Sequence, residues 1–84
     1  MRGEEVIKVL FFGPVAERIG NGVLQIAHRP GMRLQDLRDG LAAQYPQAFE
    51  IVCFTAMNGE SVRDMSIPLP DSSEVAFMAR FSGG

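Results

Sequence analysis

Two strand-like segments at opposite ends of the chain set the strongest limit on its fold. Residues 5–12, EVIKVLFF, and 74–81, EVAFMARF, are rich in the β-branched and aromatic side chains that fit a pleated, packed surface. In the first, Ile7, Val9 and Phe11 fall on one face and Val6, Lys8, Leu10 and Phe12 on the other. In the second, Val75, Phe77, Ala79 and Phe81 share a face. The first segment is apolar enough on both sides to be read as a strand buried on most of both faces, and therefore central in its sheet. The two ends of the chain then supply adjacent middle strands, and the residues between them supply the edges and the cover.

That intervening stretch divides at its turn residues. Gly13-Pro14 breaks the first strand, and Pro14 suits the first position of a short helical turn, PVAERI, which Gly20 would end. Asn21-Gly22 is a turn signal, and GVLQIAH after it alternates as a second strand with Leu24 and Ile26 facing one way. Residues 33–45, RLQDLRDGLAAQY, place Leu34, Leu37, Leu41 and Tyr45 at spacings of three and four, which predicts the one amphipathic helix. Asp36 lies in its first turn, where a negative charge suits the helix dipole, and Pro46 stops it. Arg33 is a poor N-cap, and Gly40 inside the helix costs about 1 kcal/mol relative to Ala. IVCFTAM then reads as a strand, Asn58-Gly59 as a hairpin turn and ESVR as the returning strand, ahead of a loop bracketed by Pro68 and Pro70.

A helix across one face of a mixed sheet of about five strands, with the first and last strands adjacent at its centre, is an α+β arrangement of the ubiquitin-like β-grasp type. Residues 1–81 form a single domain in this reading, and residues 82–84 form a flexible Ser-Gly-Gly tail.

Composition narrows the function. Eight Lys plus Arg against ten Asp plus Glu leave a net charge of −2, so nothing suggests a surface built to grip a nucleic-acid backbone. Apolar runs such as residues 9–12 fall far short of the roughly 20 residues of a membrane helix, and two acids at Glu4 and Glu5 stand where a signal peptide would be apolar. A cytoplasmic protein that binds neither membrane nor nucleic acid is expected. One cysteine and one histidine exclude a disulfide framework and a structural zinc site.

No nucleophile, base and orienting group come together in this inventory. Cys53, between Val52 and Phe54, is expected to be a small buried hydrophobe, and His28 a surface imidazole. No phosphate loop matches the known spacings. What remains is the end, where an apolar strand delivers Phe81 and then Ser82, Gly83 and Gly84. Residues without Cβ let a backbone pass through a narrow tunnel, and a terminal glycine leaves its carboxylate unhindered for an incoming phosphoanhydride. A frayed terminus is the plain alternative.

Four segments carry a more specific resemblance: VLFFGPVAERIG at 9–20, LQDLRDGLAAQYP at 34–46, AMNGE at 56–60, and PLPDSSEVAFMARFSGG at 68–84. Together they resemble the MoaD/ThiS sulfur-carrier family over nearly the whole chain, and most closely its MoaD branch, the small subunit of molybdopterin synthase. The resemblance implies a chain that is not catalytic alone. An ATP-dependent, E1-like adenylating enzyme would activate Gly84, and sulfur from a persulfide donor would replace AMP to leave a thiocarboxylate. The large synthase subunit, MoaE-like, would then receive the tail. Gly83 would supply the narrow passage, and Ser82 and Phe81 the anchor at the tunnel mouth. No cofactor would be bound by the chain itself, ATP being used by the activating partner. Where family members often carry prolines before the tail, this chain reads Met78-Ala79-Arg80-Phe81. Sulfur delivery to thiamine, cysteine or tRNA thiolation, covalent tagging of lysines as a ubiquitin-like modifier, and a β-grasp interaction module with an incidental tail are the other readings.

Overall fold

The computed structural model describes residues 5–80. Strand β1 (Val6–Phe11) leads into helix α1 (Gly13–Ile19), which has Pro14 in its first turn and closes on Gly20 with φ at 86°. At that left-handed angle glycine avoids the Cβ penalty that other residues meet. Strand β2 (Val23–Ala27) returns antiparallel to β1, with Val23 opposite Leu10 and Ala27 opposite Val6.

Helix α2 (Leu34–Gln44) follows, then a single-turn helix α3 (Pro46–Phe49). Strands β3 (Val52–Met57) and β4 (Glu60–Ser61) form the second hairpin, and β5 (Glu74–Ala79) closes the order. The five strands lie in the order β2-β1-β5-β3-β4, with β5 parallel to β1 and antiparallel to β3. The first and last strands are therefore adjacent and central, as the sequence predicts, and the architecture is the β-grasp.

Ile7, Val9 and Phe11 of β1 meet Val75 and Phe77 of β5 and Leu34, Leu37 and Leu41 of α2 in one buried cluster. Removing a side chain of this size from water contributes about 1.5–3 kcal/mol, and Val15, Met32, Ala48, Phe49 and Leu69 are buried in the same cluster. Phe49 of α3 packs edge-to-face on Phe77 at 5.0 Å between ring centroids. Four residues are too few to show a helical period, and this element was not anticipated; Pro46 ends one helix and begins the next.

The poor cap at Arg33 has a structural answer. A helix leaves its first N–H groups without internal partners. Here the Leu34 and Gln35 N–H groups donate to the carbonyls of Ile67 and Met65 at 3.0 and 2.7 Å. Asp36 accepts the Arg33 N–H at 2.8 Å, and the Arg33 guanidinium donates to the Ser66 carbonyl at 2.6 Å. Asp36 and the loop after β4 thus share the capping, and the loop's part is one that no local pattern around Arg33 displays.

Three expectations need correction. β1 is not covered on both faces: Lys8 is exposed and Val6 and Leu10 are half-buried, because every helix lies on the other side. The returning strand spans only Glu60–Ser61, not ESVR, since the chain turns away toward α2. β5 ends at Ala79 and Arg80 already lies beyond the strand, short of the expected run to Phe81, which itself falls outside the described residues.

Candidate functional site

Phe81, Ser82, Gly83 and Gly84, the four residues singled out by the sequence, all lie outside the described residues. The structure does define where the chain approaches them. β5 runs between β1 and β3, so the backbone reaches Arg80 from the middle of the sheet rather than from an edge. Ala79 and Arg80 line a shallow open cavity of about 360 Å³ with Pro14, Arg18, Ile51 and Cys53. Arg18 is held beside it by a 2.9 Å hydrogen bond to the Gln47 carbonyl and an ion pair with Glu50 at 3.6 Å.

The second component is the face of the sheet that carries no helix. Leu10 pairs with Val23 on one side and Ala76 on the other, and Ala76 pairs with Ala56. Phe54 pairs with Met78. Phe12, still extended at φ −126° and ψ 150°, continues the alternation of β1 onto this same side. Phe12, Phe54 and Val23 are 50%, 49% and 45% exposed, and they are the large exposed hydrophobic residues of the described chain. Three such residues gathered around Leu10, Ala76 and Met78 make a contiguous apolar surface, and a surface of that kind marks an interaction site.

A polar row bounds the patch. Lys8 faces Gln25 and Glu74 in register, with its Nζ 3.9 Å from Glu74 Oε2. The apolar part of the open face therefore sits toward the end of β5 from which the chain continues to Phe81. A partner seated there would lie beside the Arg80 end of the sheet.

Cys53 is not the buried hydrophobe expected. The register of β3 against β5 shifts between Val52 and Phe54, and the extra residue of this bulge turns its thiol outward, where it is exposed. A bulge leaves no mark in hydrophobic alternation. His28 is half-buried, not a free surface imidazole: its Nε2 lies 2.7 Å from the Leu69 carbonyl and ties β2 to the loop ahead of β5. Neither residue is joined by a base or acid in a catalytic arrangement. Among the described residues no group of three His, Cys, Asp or Glu is placed to hold a metal ion, and no helix is long and apolar enough to cross a membrane.

The open face is the candidate docking feature that the sequence did not locate. Its signal was present in Leu10, Phe12, Ala76 and Met78, but apolar residues on both sides of a strand equally fit a strand covered twice.

A model of the ThiS family matches residues 9–84. No curated protein matches the chain. Among solved structures, SAMP1 from Haloferax volcanii superposes with a TM-score of 0.79 at 19% identity, covering 94% of this chain and 99% of that one. A putative molybdopterin converting factor subunit 1 from Pyrococcus furiosus also gives 0.79, at 21% identity, over 90% and 98% of the two chains. A complex of subunits 1 and 2 of the molybdopterin-converting factor from Helicobacter pylori gives 0.70 at 23% identity, over 94% and 99%. At these identities the structures establish the shared fold.

Proposed function

Because the chain belongs to the ThiS family of ubiquitin-like sulfur carriers, we propose that it carries sulfur on Gly84 for molybdopterin synthesis. The observation that carries this reading is the extent of the family match, which runs through Gly83 and Gly84. Its pathway is supported by the MoaD-like segments at 9–20 and 68–84 and by the Pyrococcus and Helicobacter folds.

In this mechanism the Gly84 carboxylate attacks the α-phosphorus of ATP in an activating enzyme, and pyrophosphate leaves. The outer sulfur of a persulfide then displaces AMP from the acyl carbon to give an acyl disulfide, and a thiol reductant cleaves its S–S bond to release the thiocarboxylate, the donor leaving as a mixed disulfide. The domain contributes no catalytic group. It contributes the apolar face of Leu10, Phe12, Val23, Phe54 and Met78, which docks first the activating enzyme and then a large synthase subunit. Gly83 threads the partner's channel, with Ser82 and Phe81 at its mouth. Binding apolar surface beside the departing tail leaves the Gly-Gly segment free to reach a buried active site.

A second reading has an observation of its own. The fold matches SAMP1, a small archaeal modifier protein, as closely as it matches the Pyrococcus subunit. Intact mass decides between them. After incubation with ATP, the host's activating enzyme and a sulfur source, the carrier gains the difference between one sulfur and one oxygen at Gly84. Deleting Gly84 abolishes that gain while the fold survives. A chain that stays unmodified beside an activating enzyme competent on another carrier refutes the sulfur reading, and Phe-Ser-Gly-Gly remnants on many cellular lysines, left by tryptic cleavage after Arg80, establish tagging instead.

A further inference from the structure

The eight basic residues of this chain are seven arginines and one lysine. With charged residues at about a quarter of an average domain, roughly five lysines would be ordinary in 84 residues. A guanidinium stays protonated and does not act as a nucleophile, whereas a lysine amine does once it loses its proton. The chain therefore offers a single side-chain amine to any activated acyl group, and that amine is Lys8.

Its position gives the singularity a consequence. Lys8 lies on the open face of β1, one same-face step from Leu10, with Glu74 of β5 and Gln25 of β2 as its register neighbours. Its side chain is 54% exposed, and its pairing with Glu74 spans 3.9 Å, too long and too solvated to hold the amine in place. The amine is thus reachable, and it stands at the border of the apolar surface on which partners of this chain would dock.

We propose that Lys8 is the chain's one acyl-acceptor site, and that transfer of the activated Gly84 acyl group of one copy to Lys8 of another closes the acceptor's docking face. This rests on the reading that Gly84 is activated. The neutral Lys8 Nζ attacks the acyl carbon of the Gly84 adenylate and the bond from that carbon to the phosphate oxygen breaks. AMP leaves with the electron pair, and the ammonium proton passes to solvent. The product is an isopeptide, with no oxidant or reductant required. A linked copy carries a 9.2 kDa domain beside Leu10 and Val23, so it no longer presents the apolar face to an activating enzyme. Loading with sulfur and self-linkage then compete for the same adenylate, and scarcity of sulfur favours linkage.

The test uses the full chain with ATP and the host's activating enzyme, with the sulfur source omitted. Pyrophosphate release reports activation, and mass spectrometry reports a covalent dimer of twice the chain mass less one water. The expected result is a dimer whose branch maps to Lys8 and which falls at least tenfold in K8R, with pyrophosphate release unchanged. The purified dimer should also bind the activating enzyme through its acceptor copy at least tenfold more weakly, measured on a dimer whose donor carries Phe54→Asp and is supplied as a chemically made Gly84 thioester, so that linkage does not depend on the donor's docking.

Pyrophosphate release with no dimer, or with a dimer linked at the α-amino group or a hydroxyl and persisting in K8R, overturns the proposal and leaves the carrier function standing. Absence of pyrophosphate release counts against the carrier reading instead. A chain bearing a chemically made Gly84 thioester then tests Lys8 directly: linkage at Lys8 that is lost in K8R upholds the acceptor site, and linkage elsewhere overturns it.

Discussion

Phe54 and Met78 face each other across β3 and β5 on the side of the sheet that no helix covers. Phe54 is half-exposed in the isolated chain, so its ring contributes little to folding and is available to a partner. A buried aromatic at the centre of an interface commonly accounts for 2 kcal/mol or more of binding. Phe54→Asp is expected to weaken binding to both the activating enzyme and the large synthase subunit by at least about tenfold. Titration calorimetry against each partner, beside a melting curve shifted by no more than a few degrees, checks it. Unchanged affinity for both would remove this face from the docking reading.

Gly40 sits within α2 on an exposed face, and a Cβ built there meets nothing within 4 Å. The glycine therefore costs backbone entropy without serving a close approach. Gly40→Ala is expected to stabilise the domain by about 0.5–1 kcal/mol. That corresponds to a rise of a few degrees in Tm for a domain of this size, readable by calorimetry. A fall in Tm would mean that the groove beside Ile26 and Leu37 needs the space that Gly40 leaves.

The Ser66 hydroxyl donates to Asp64 Oδ1 at 2.6 Å and the Ser66 N–H donates to the same oxygen at 2.9 Å, holding the Asp64 carboxyl below its ordinary value of 3.8. A carboxyl depressed in the folded state contributes stability that is present above 3.8 and is lost as the pH falls through the folded value. Ser66→Ala keeps the backbone donor and removes the stronger one, so it should raise the Asp64 pKa part of the way back. Carboxyl-carbon NMR titration measures this directly, and a pKa unmoved by the substitution would contradict the assignment to the hydroxyl.

The parts of the fold that were legible in the sequence are those with a period or a committed turn. Leu34, Leu37 and Leu41 recur on one helical face and are all buried, and Asn58 and Gly59 both take the positive φ that their dipeptide predicts. The adjacency of β1 and β5 followed from the apolar character of both. Features set by distant residues were not legible. Phe49 needs α3 to reach Phe77, Arg33 needs Met65 and Ile67 to complete its helix, and Cys53 faces outward only because β3 gains a residue against β5. The candidate site divides in the same way. The Gly83-Gly84 end was visible as a motif, whereas the docking face required knowing which side of β1 the helices leave open.

The strand made last occupies the middle of the sheet. As the chain emerges from the ribosome, β1 with β2 and β3 with β4 can form only two separate hairpins, each offering an open edge where β5 belongs. An isolated two-stranded hairpin is marginal at best in water. A copy that terminates early, before residues 74–79, has no centre to close around and remains a substrate for proteases.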